Sequence, residues 1–156
     1  MAVKDKQVVE LLGRNRLVDE LLRAGLEVAF PLRDRGIDLI AYADKGQGVQ
    51  TFVAKPIQMK AASLRSFGID RKYAAFPNLI LAYVWHVGDA DKTMTCALTY
   101  PEAISVAELM GYTKSPSWAK GRYDGTMRGG RLLTMLEGHQ MTPATWRAMV
   151  IGALET

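Results

Sequence analysis

The sequence has only one cysteine and two histidines among its 156 residues, which limits the metal sites that it can build. Cys96 has no second cysteine to pair with, so an intramolecular disulfide and a cysteine-based zinc cluster are excluded. His86 and His139 are too few for a centre made mainly of histidines. The apolar run TMTCALTY around Cys96 is typical of a buried, unreactive thiol.

Long apolar runs are also absent. None approaches the length of a membrane-spanning helix, and the N-terminal MAVKDKQVVE lacks the apolar stretch of a signal peptide. We therefore expect a soluble protein of the reducing cytoplasm with no membrane partner. A chain of 156 residues, 49% of them hydrophobic, suffices for one well-formed core and is short for two. We expect a single domain over residues 1–156, with a core at about 5–111 and a basic, helical C-terminal extension at about 112–156.

The first residues predict an amphipathic helix from about Asp5 to Ala24, which Gly25 ends. One stripe at spacings of three or four residues is expected to meet the core. Its members are Val8, Leu11, Val18 and Leu22. Asn15 takes the missing place in that stripe, where a polar side chain needs a partner or a task.

Five apolar runs predict β-strands and, together with the helices, indicate an α/β fold. The runs are LEVAFP, GIDLIAY, TFVAKPIQMKA, NLILAYVWHV and TMTCALTY. The link DKGQG predicts that the second and third runs form an antiparallel hairpin, and Pro56 predicts a bulge or an unpaired position. The fourth run is almost continuously apolar, which is typical of a central strand. We expect a mixed central sheet of about four to five strands flanked by helices.

The remaining segments give weaker signals. Residues 63–76 are interpreted as a loop with a short helix. Thr99 and Glu102 match a capping box, which predicts a helix through about Met110. A turn-rich, basic stretch follows, and then two short helical patterns over residues 131–137 and 143–154.

The predicted hairpin carries polar side chains within its apolar strands. Gln58 and Lys60 are two residues apart and so share a face of the third strand. If the chain reverses near Gly48, opposed residues have numbers that add up to about 96, which places Asp38 opposite Gln58. Lys60 is then a diagonal neighbour of Asp38, within reach of its long side chain. The three side chains are expected to lie together; an Asp38–Lys60 ion pair on an exposed sheet face is the structural alternative.

These residue types suit a hard divalent cation such as Mg²⁺, which prefers oxygen ligands and keeps several waters. Asp38 would supply a carboxylate, Gln58 an amide oxygen and Met59 its backbone carbonyl. Such a cation polarises a phosphodiester and makes a bound water more acidic. Lys60 would position the attacking water or stabilise the negative charge that develops on the phosphate.

The order of GIDLIAY and PIQMKA resembles the aspartate and (Asp/Glu/Gln)-x-Lys elements of the PD-(D/E)xK nuclease superfamily. The preceding ELLRAGLEVAFP is similar to the first helix and strand of that superfamily. The resemblance covers residues 8–87 and implies a restriction-endonuclease-like core that acts on DNA with Mg²⁺ or Mn²⁺. Its catalytic residues would be Asp38, Gln58 and Lys60. Many members carry a glutamate on the first helix; the matching place here holds Asn15, and Glu10 lies more than a turn away.

The chain is mildly basic, with a net charge of +4 and a pI of about 9.3, which permits a nucleic-acid partner without requiring one. Cations concentrate in the C-terminal extension, with two aromatic residues between them. The candidate nucleic-acid contacts are Lys114, Trp118, Lys120, Arg122, Tyr123, Arg128 and Arg131. The cations would contact phosphates and the aromatic rings would stack on unpaired bases. Alternatively, both rings pin this segment to the core.

Three functions follow from these observations. The first is a Mg²⁺-dependent endonuclease that hydrolyses DNA. A homodimer is one expected assembly of such an enzyme. The second is a DNA-binding protein of the same fold without catalysis, which Asn15 favours. The third is a homo-oligomeric interaction protein that binds no nucleic acid.

Overall fold

A five-stranded mixed sheet forms the centre of the computed structural model, which describes residues 3–126 and 129–152. The strands are β1 (Glu27–Ala29), β2 (Leu39–Ala43), β3 (Val53–Ala61), β4 (Ser66–Asp70), β5 (Ile80–Trp85), β6 (Met94–Thr99) and β7 (Arg122–Thr126). The helices are α1 (Lys6–Arg23), α2 (Tyr100–Met110), α3 (Pro116–Ala119), α4 (Arg131–Leu136) and α5 (Pro143–Ile151). The strand order in the central sheet is β1-β2-β3-β5-β6. This confirms the predicted α/β class with a mixed sheet flanked by helices.

The pairing of β2 with β3 confirms the predicted hairpin register. The pairs run antiparallel from Leu39 opposite Ile57 to Ala43 opposite Val53, so the paired numbers add up to 96 throughout. Pro56 stands opposite Ile40 in this unbroken register, so the prediction of a bulge or an unpaired position is wrong. An antiparallel ladder leaves every second N–H outside the pair, and a proline nitrogen is accommodated at such a position. β3 then pairs in parallel with β5, which makes the sheet mixed.

The bounds of α1 match the prediction, but the face that meets the core does not. The Asp5 carboxylate accepts the N–H of Gln7 at 2.9 Å, and Gly25 follows the helix with φ of 76°. The buried residues are Val9, Gly13, Leu17 and Leu21. Val8, Leu11 and Leu22 of the predicted core stripe are exposed instead. The hydrophobic pattern did not identify this buried face, because one of its positions is Gly13. α1 approaches β3 so closely there that the position must lack a side chain.

A second, two-stranded sheet forms where no strand was expected. β4 and β7 pair antiparallel, from Ser66 opposite Thr126 to Asp70 opposite Arg122. The interpretation of residues 63–76 as a loop with a short helix is therefore wrong for β4, as is the turn-rich interpretation for β7. Both strands are short and contain glycine, and their partners are more than 50 residues apart in the chain. Such long-range pairing leaves no local periodic signal.

Residues after 111 contribute to both sides of the central sheet. Tyr112, Trp118, Leu132 and Leu136 belong to the apolar cluster on the face covered by α2. Trp146 and Val150 of α5 belong to the cluster on the face covered by α1. The last helical pattern was predicted to reach residue 154, which lies outside the described residues.

Three smaller predictions are also met. α2 begins with a capping box between Thr99 and Glu102. All six residues of β5 are buried, as expected of an interior strand. Cys96 is buried, and burial raises the pKa of its thiol to about 12, so it stays protonated and unreactive. Within the part of the chain that the structure describes, no helix has the length and apolarity to cross a bilayer.

Candidate functional site

A groove of about 1040 Å³ lies between α1, the C-terminal half of β3 and the β4–β7 sheet. The three predicted site residues Asp38, Gln58 and Lys60 all line this groove, together with Met59. Its walls carry charges of both signs, as a site for a cation and a phosphate requires. The carboxylates are Glu10, Asp34, Asp38 and Asp124, and the cations are Lys4, Lys6, Arg14, Lys60 and Lys72.

Asp38 is fixed to β3 by two hydrogen bonds. The backbone N–H of Met59 donates to Oδ2 of Asp38 at 2.6 Å, and the backbone N–H of Asp38 donates to the Ile57 carbonyl at 2.9 Å. Burial raises the pKa of the Asp38 carboxyl above its ordinary value, and the Met59 hydrogen bond opposes that shift. Asp34 and Glu10 also raise this pKa, whereas the Lys60 ammonium lowers it. A cation beside Asp38 would relieve the cost of keeping the carboxylate ionised there.

Gln58 presents a buried amide oxygen that has no hydrogen-bond partner. Its Nε2 lies 3.4 Å from the Met59 carbonyl, a long contact, and its Oε1 is the end without a partner. A buried polar atom of this kind costs roughly 1–3 kcal/mol of stability. Gln58 lines a groove that also carries carboxylates, and a side-chain amide oxygen is a suitable ligand for a hard cation.

The Lys60 side chain lies against β4 where it enters the groove. A Cβ atom built on Gly68 would lie 3.6 Å from Cδ and Cε of Lys60 and 3.5 Å from Oδ1 of Asp124. The ammonium lies 5.6 Å from the ring centroid of Tyr73. Tyr83 fixes the strand by donating to the Gly68 carbonyl at 2.7 Å. Sequence reasoning missed this wall, because nothing local indicates that β4 and β7 pair.

The oxygen ligands present fit Mg²⁺ or Mn²⁺ with few protein contacts. Among residues 3–126 and 129–152, no three His, Cys, Asp or Glu side chains are grouped so that they could hold a metal ion. The available set is the Asp38 carboxylate, the unpartnered Gln58 Oε1 and the Met59 carbonyl. Mg²⁺ is commonly held by one or two carboxylates and retains several waters, so this set is small but chemically appropriate.

The two first-helix candidates, Glu10 and Asn15, lie on different sides of α1. Asn15 is exposed and does not line the groove, whereas Glu10 does. The difference follows from the rotation of α1, since its core face passes through Val9 and Gly13. Residue 10 is therefore turned toward the groove, and residue 15 toward solvent.

The basic C-terminal segment presents cations but not free aromatic rings. Trp118 is buried, with the Arg71 guanidinium 4.9 Å from its ring centroid, and Tyr123 stacks on Tyr112 at 4.1 Å. Trp118 therefore cannot stack on a base in this arrangement. The contacts match the alternative prediction, in which both rings hold the segment against the core. The side chains of Lys114, Lys120, Arg122 and Arg131 are exposed, while the predicted contact Arg128 lies outside the described residues.

Two of the exposed cations in that segment, Arg122 and Arg131, have defined neighbours. Arg122 lines a small cavity of about 60 Å³ next to Lys60, so it borders the groove. Arg131 donates from Nη2 to the Leu109 carbonyl at 2.8 Å and thereby caps the end of α2. Among the described residues of the predicted nucleic-acid set, Arg122 and Tyr123 thus border the candidate site.

Comparisons with known proteins do not assign this chain to a family. No family model and no curated protein matches it. Among solved structures, a bacterial homing endonuclease is similar, with a TM-score of 0.47 and 14% sequence identity over 88% of each chain. At that level the likeness carries no argument about activity. The strand order therefore defines the fold, and the residues of the groove are the basis for the function.

Proposed function

We propose that the protein is a Mg²⁺-dependent endonuclease of the PD-(D/E)xK type that hydrolyses phosphodiester bonds in DNA. The observation that carries this proposal is the convergence of Asp38, Gln58 and Lys60 on one groove, with the buried Gln58 Oε1 lacking a partner. An Asp–Lys ion pair on an exposed sheet face would not explain that buried amide oxygen.

Each residue has a role set by its position. Asp38, Gln58 Oε1 and the Met59 carbonyl would hold Mg²⁺ or Mn²⁺, which supplies Lewis-acid polarisation of the phosphate and a more acidic water. The Met59 N–H donates to one carboxylate oxygen of Asp38. The other oxygen of this carboxylate is then available as a metal ligand. Lys60 places a positive charge beside this carboxylate, where it orients the attacking water and stabilises negative charge on the phosphate.

The cations around the groove would hold the DNA backbone. Lys4, Lys6, Arg14 and Lys72 line the groove itself, and Arg122 borders it. Lys114 and Lys120 extend the basic surface outward. Contacts of this kind fix the position of a duplex without reading its sequence.

One observation favours DNA binding without catalysis as a second candidate. The described residues offer no group of three acidic, histidine or cysteine ligands, and the second motif position holds Gln58 where an acid would bind a cation more strongly. A protein of this fold with a weakened metal site would still hold DNA through its cations. The two candidates differ in turnover and not in affinity.

Lys60→Ala is expected to lower cleavage of supercoiled plasmid by about 10²–10³-fold in Mg²⁺ or Mn²⁺, because it removes a charge that stabilises the transition state. The measurement is the initial rate of nicking, with EDTA as the metal-free control. Lys55→Ala is the matched control, since Lys55 lies on the same strand and is not among the residues that line the groove.

The possible outcomes separate the candidates. Nicking that needs metal and Lys60 but not Lys55 supports the endonuclease. If the wild-type protein binds duplex DNA with an affinity that falls steeply with salt but does not nick it, the second candidate would replace the endonuclease. Nicking that survives Lys60→Ala at the full rate would mean that this groove is not the catalytic site.

A further inference from the structure

Helix α1 has a second apolar face that the sheet does not cover. Val8, Leu11 and Leu22 are 40%, 49% and 52% exposed, and Val18 is half-buried. With Asn15 between them, these positions repeat at spacings of three, four, three and four residues. A stripe of this length on one helix is typical of a protein-interaction surface, in contrast to single exposed apolar residues.

This stripe lies on the side of α1 that is turned away from its buried face. At about 100° per residue, Val9, Gly13, Leu17 and Leu21 share one side of α1, and the exposed stripe is centred about 160° from them. The buried residues face the central sheet, whereas the stripe is exposed over Val8, Leu11 and Leu22; Val18 at one edge packs partly against the core, and Leu11 at the other edge lines the groove. A second helix can therefore contact the exposed part of the stripe, next to the groove.

We propose that the stripe is a dimer interface on which α1 of a second copy of this chain packs in parallel. Spacings of three and four residues are those of the a and d positions of a two-stranded coiled coil. Val8, Asn15 and Leu22 then take a positions, and Leu11 and Val18 take d positions. An asparagine at a central a position pairs with its copy and specifies a parallel, two-stranded register, at some cost in stability.

The charges beside the stripe complement each other in that register. Arg14 takes the g position and Asp19 the e position of the next heptad, which face each other across a parallel pair. Each dimer would thus have two Arg14–Asp19 contacts related by the two-fold axis. Asp19 already bonds Arg23 within its own helix at 2.9 Å, so the partner's Arg14 would share that carboxylate. Because Arg14 also lines the groove, the two grooves would border the interface.

The size of the stripe predicts a reversible dimer. An 18-residue helix is about 27 Å long, and its five core layers fall short of the roughly 800 Å² per partner of a standard interface. An isolated helix of this length is marginal in water, but α1 is already held by the sheet, so pairing does not have to order it. We expect dissociation constants of about 1–100 μM.

Sedimentation of the full chain without DNA or Mg²⁺ tests this interface independently of the proposed function. A concentration-dependent shift from 17.2 kDa to twice that mass is expected, and Leu11→Asp should abolish it. Leu109→Asp is the matched control, because Leu109 is 62% exposed on α2, away from the stripe. Asn15→Val should strengthen association, since the asparagine lowers stability at that layer. A monomer at every concentration up to about 1 mM, or a dimer that survives Leu11→Asp, would overturn the proposal.

Disulfide trapping tests the parallel register. The native Cys96 is buried, so an introduced cysteine is the reactive thiol. Facing Cα atoms at an a layer lie within the roughly 4.4–6.8 Å that a disulfide spans, so Val8→Cys and Leu22→Cys are each expected to crosslink to their own kind. Crosslinking only in an equimolar mixture of the two variants would show an antiparallel pair and overturn the proposed register.

Discussion

Asp38→Asn is expected to lower Mg²⁺-dependent DNA cleavage by about 10³-fold while the protein stays folded. Asparagine keeps an oxygen that can accept the Met59 N–H, so the link between the start of β2 and β3 is preserved. It removes the only carboxylate in the proposed ligand set. Loss of a residue that merely supports a metal ligand costs about 10–100-fold, so loss of the charged ligand itself costs more. The measurement is the nicking rate at saturating Mg²⁺.

The same change is expected to raise thermal stability at neutral pH. The folded protein raises the pKa of Asp38 above its ordinary value of 3.8, mainly through burial, so ionisation is less favourable in the folded state than in the unfolded state. The wild-type chain therefore loses stability as the pH rises through that raised pKa. Asparagine does not ionise, and its stability advantage should be present at pH 7 and should fade below about pH 4.

Asp34→Asn is the control for both effects. Asp34 lines the same groove but is exposed, and it belongs to the loop before β2. Removal of an exposed, screened charge should change the nicking rate by less than about tenfold and leave the melting temperature nearly unchanged. An Asp38→Asn protein that cleaves DNA at the wild-type rate would contradict the role of the carboxylate.

Gly13→Ala is expected to destabilise the protein by about 1–3 kcal/mol, although alanine favours a helix by about 1 kcal/mol over glycine. A Cβ atom at Gly13 would lie 2.6 Å from the Cβ of Ala61, which is fixed to the backbone of β3. α1 would have to move away from β3, and this movement would displace Glu10 relative to Lys60. The free energy of unfolding in urea measures the first effect, and the nicking rate measures the second.

Two further variants isolate the cause. Ala61→Gly removes the atom that Gly13→Ala meets, so the double variant should recover stability relative to Gly13→Ala alone. Gly138→Ala is the matched glycine control, because nothing lies within 4 Å of a Cβ built there. If Gly13→Ala were neutral or stabilising, the close packing of α1 on β3 would be wrong.

The parts of the groove whose placement was predicted depend on local sequence. The β2–β3 hairpin is closed by the nine residues 44–52, so its register could be predicted from the glycines of this connection and the period-two pattern of its strands. The helix bounds of α1 and α2 likewise follow from caps adjacent to them, Asp5 and Thr99. Asp38, Gln58 and Lys60 come from these local elements.

The parts that were missed depend on contacts that are distant in sequence. The pairing of β4 with β7 supplies Gly68 and Asp124 to the groove, and neither strand is periodic enough to be recognised alone. The rotation of α1 was misassigned because both of its faces are apolar, and the closer contact is made by a glycine, which a hydrophobic pattern does not count. That error placed Asn15 in the core-facing stripe, although it is exposed.

The most direct test of the account is a crystal structure of the protein soaked in millimolar Mn²⁺, examined by anomalous scattering. A peak is expected beside Asp38, within coordinating distance of the Gln58 Oε1, and it should be lost in Asp38→Asn. A structure without a peak at Asp38, in which a protein group hydrogen-bonds the Gln58 Oε1, would contradict the proposed metal site and with it the endonuclease.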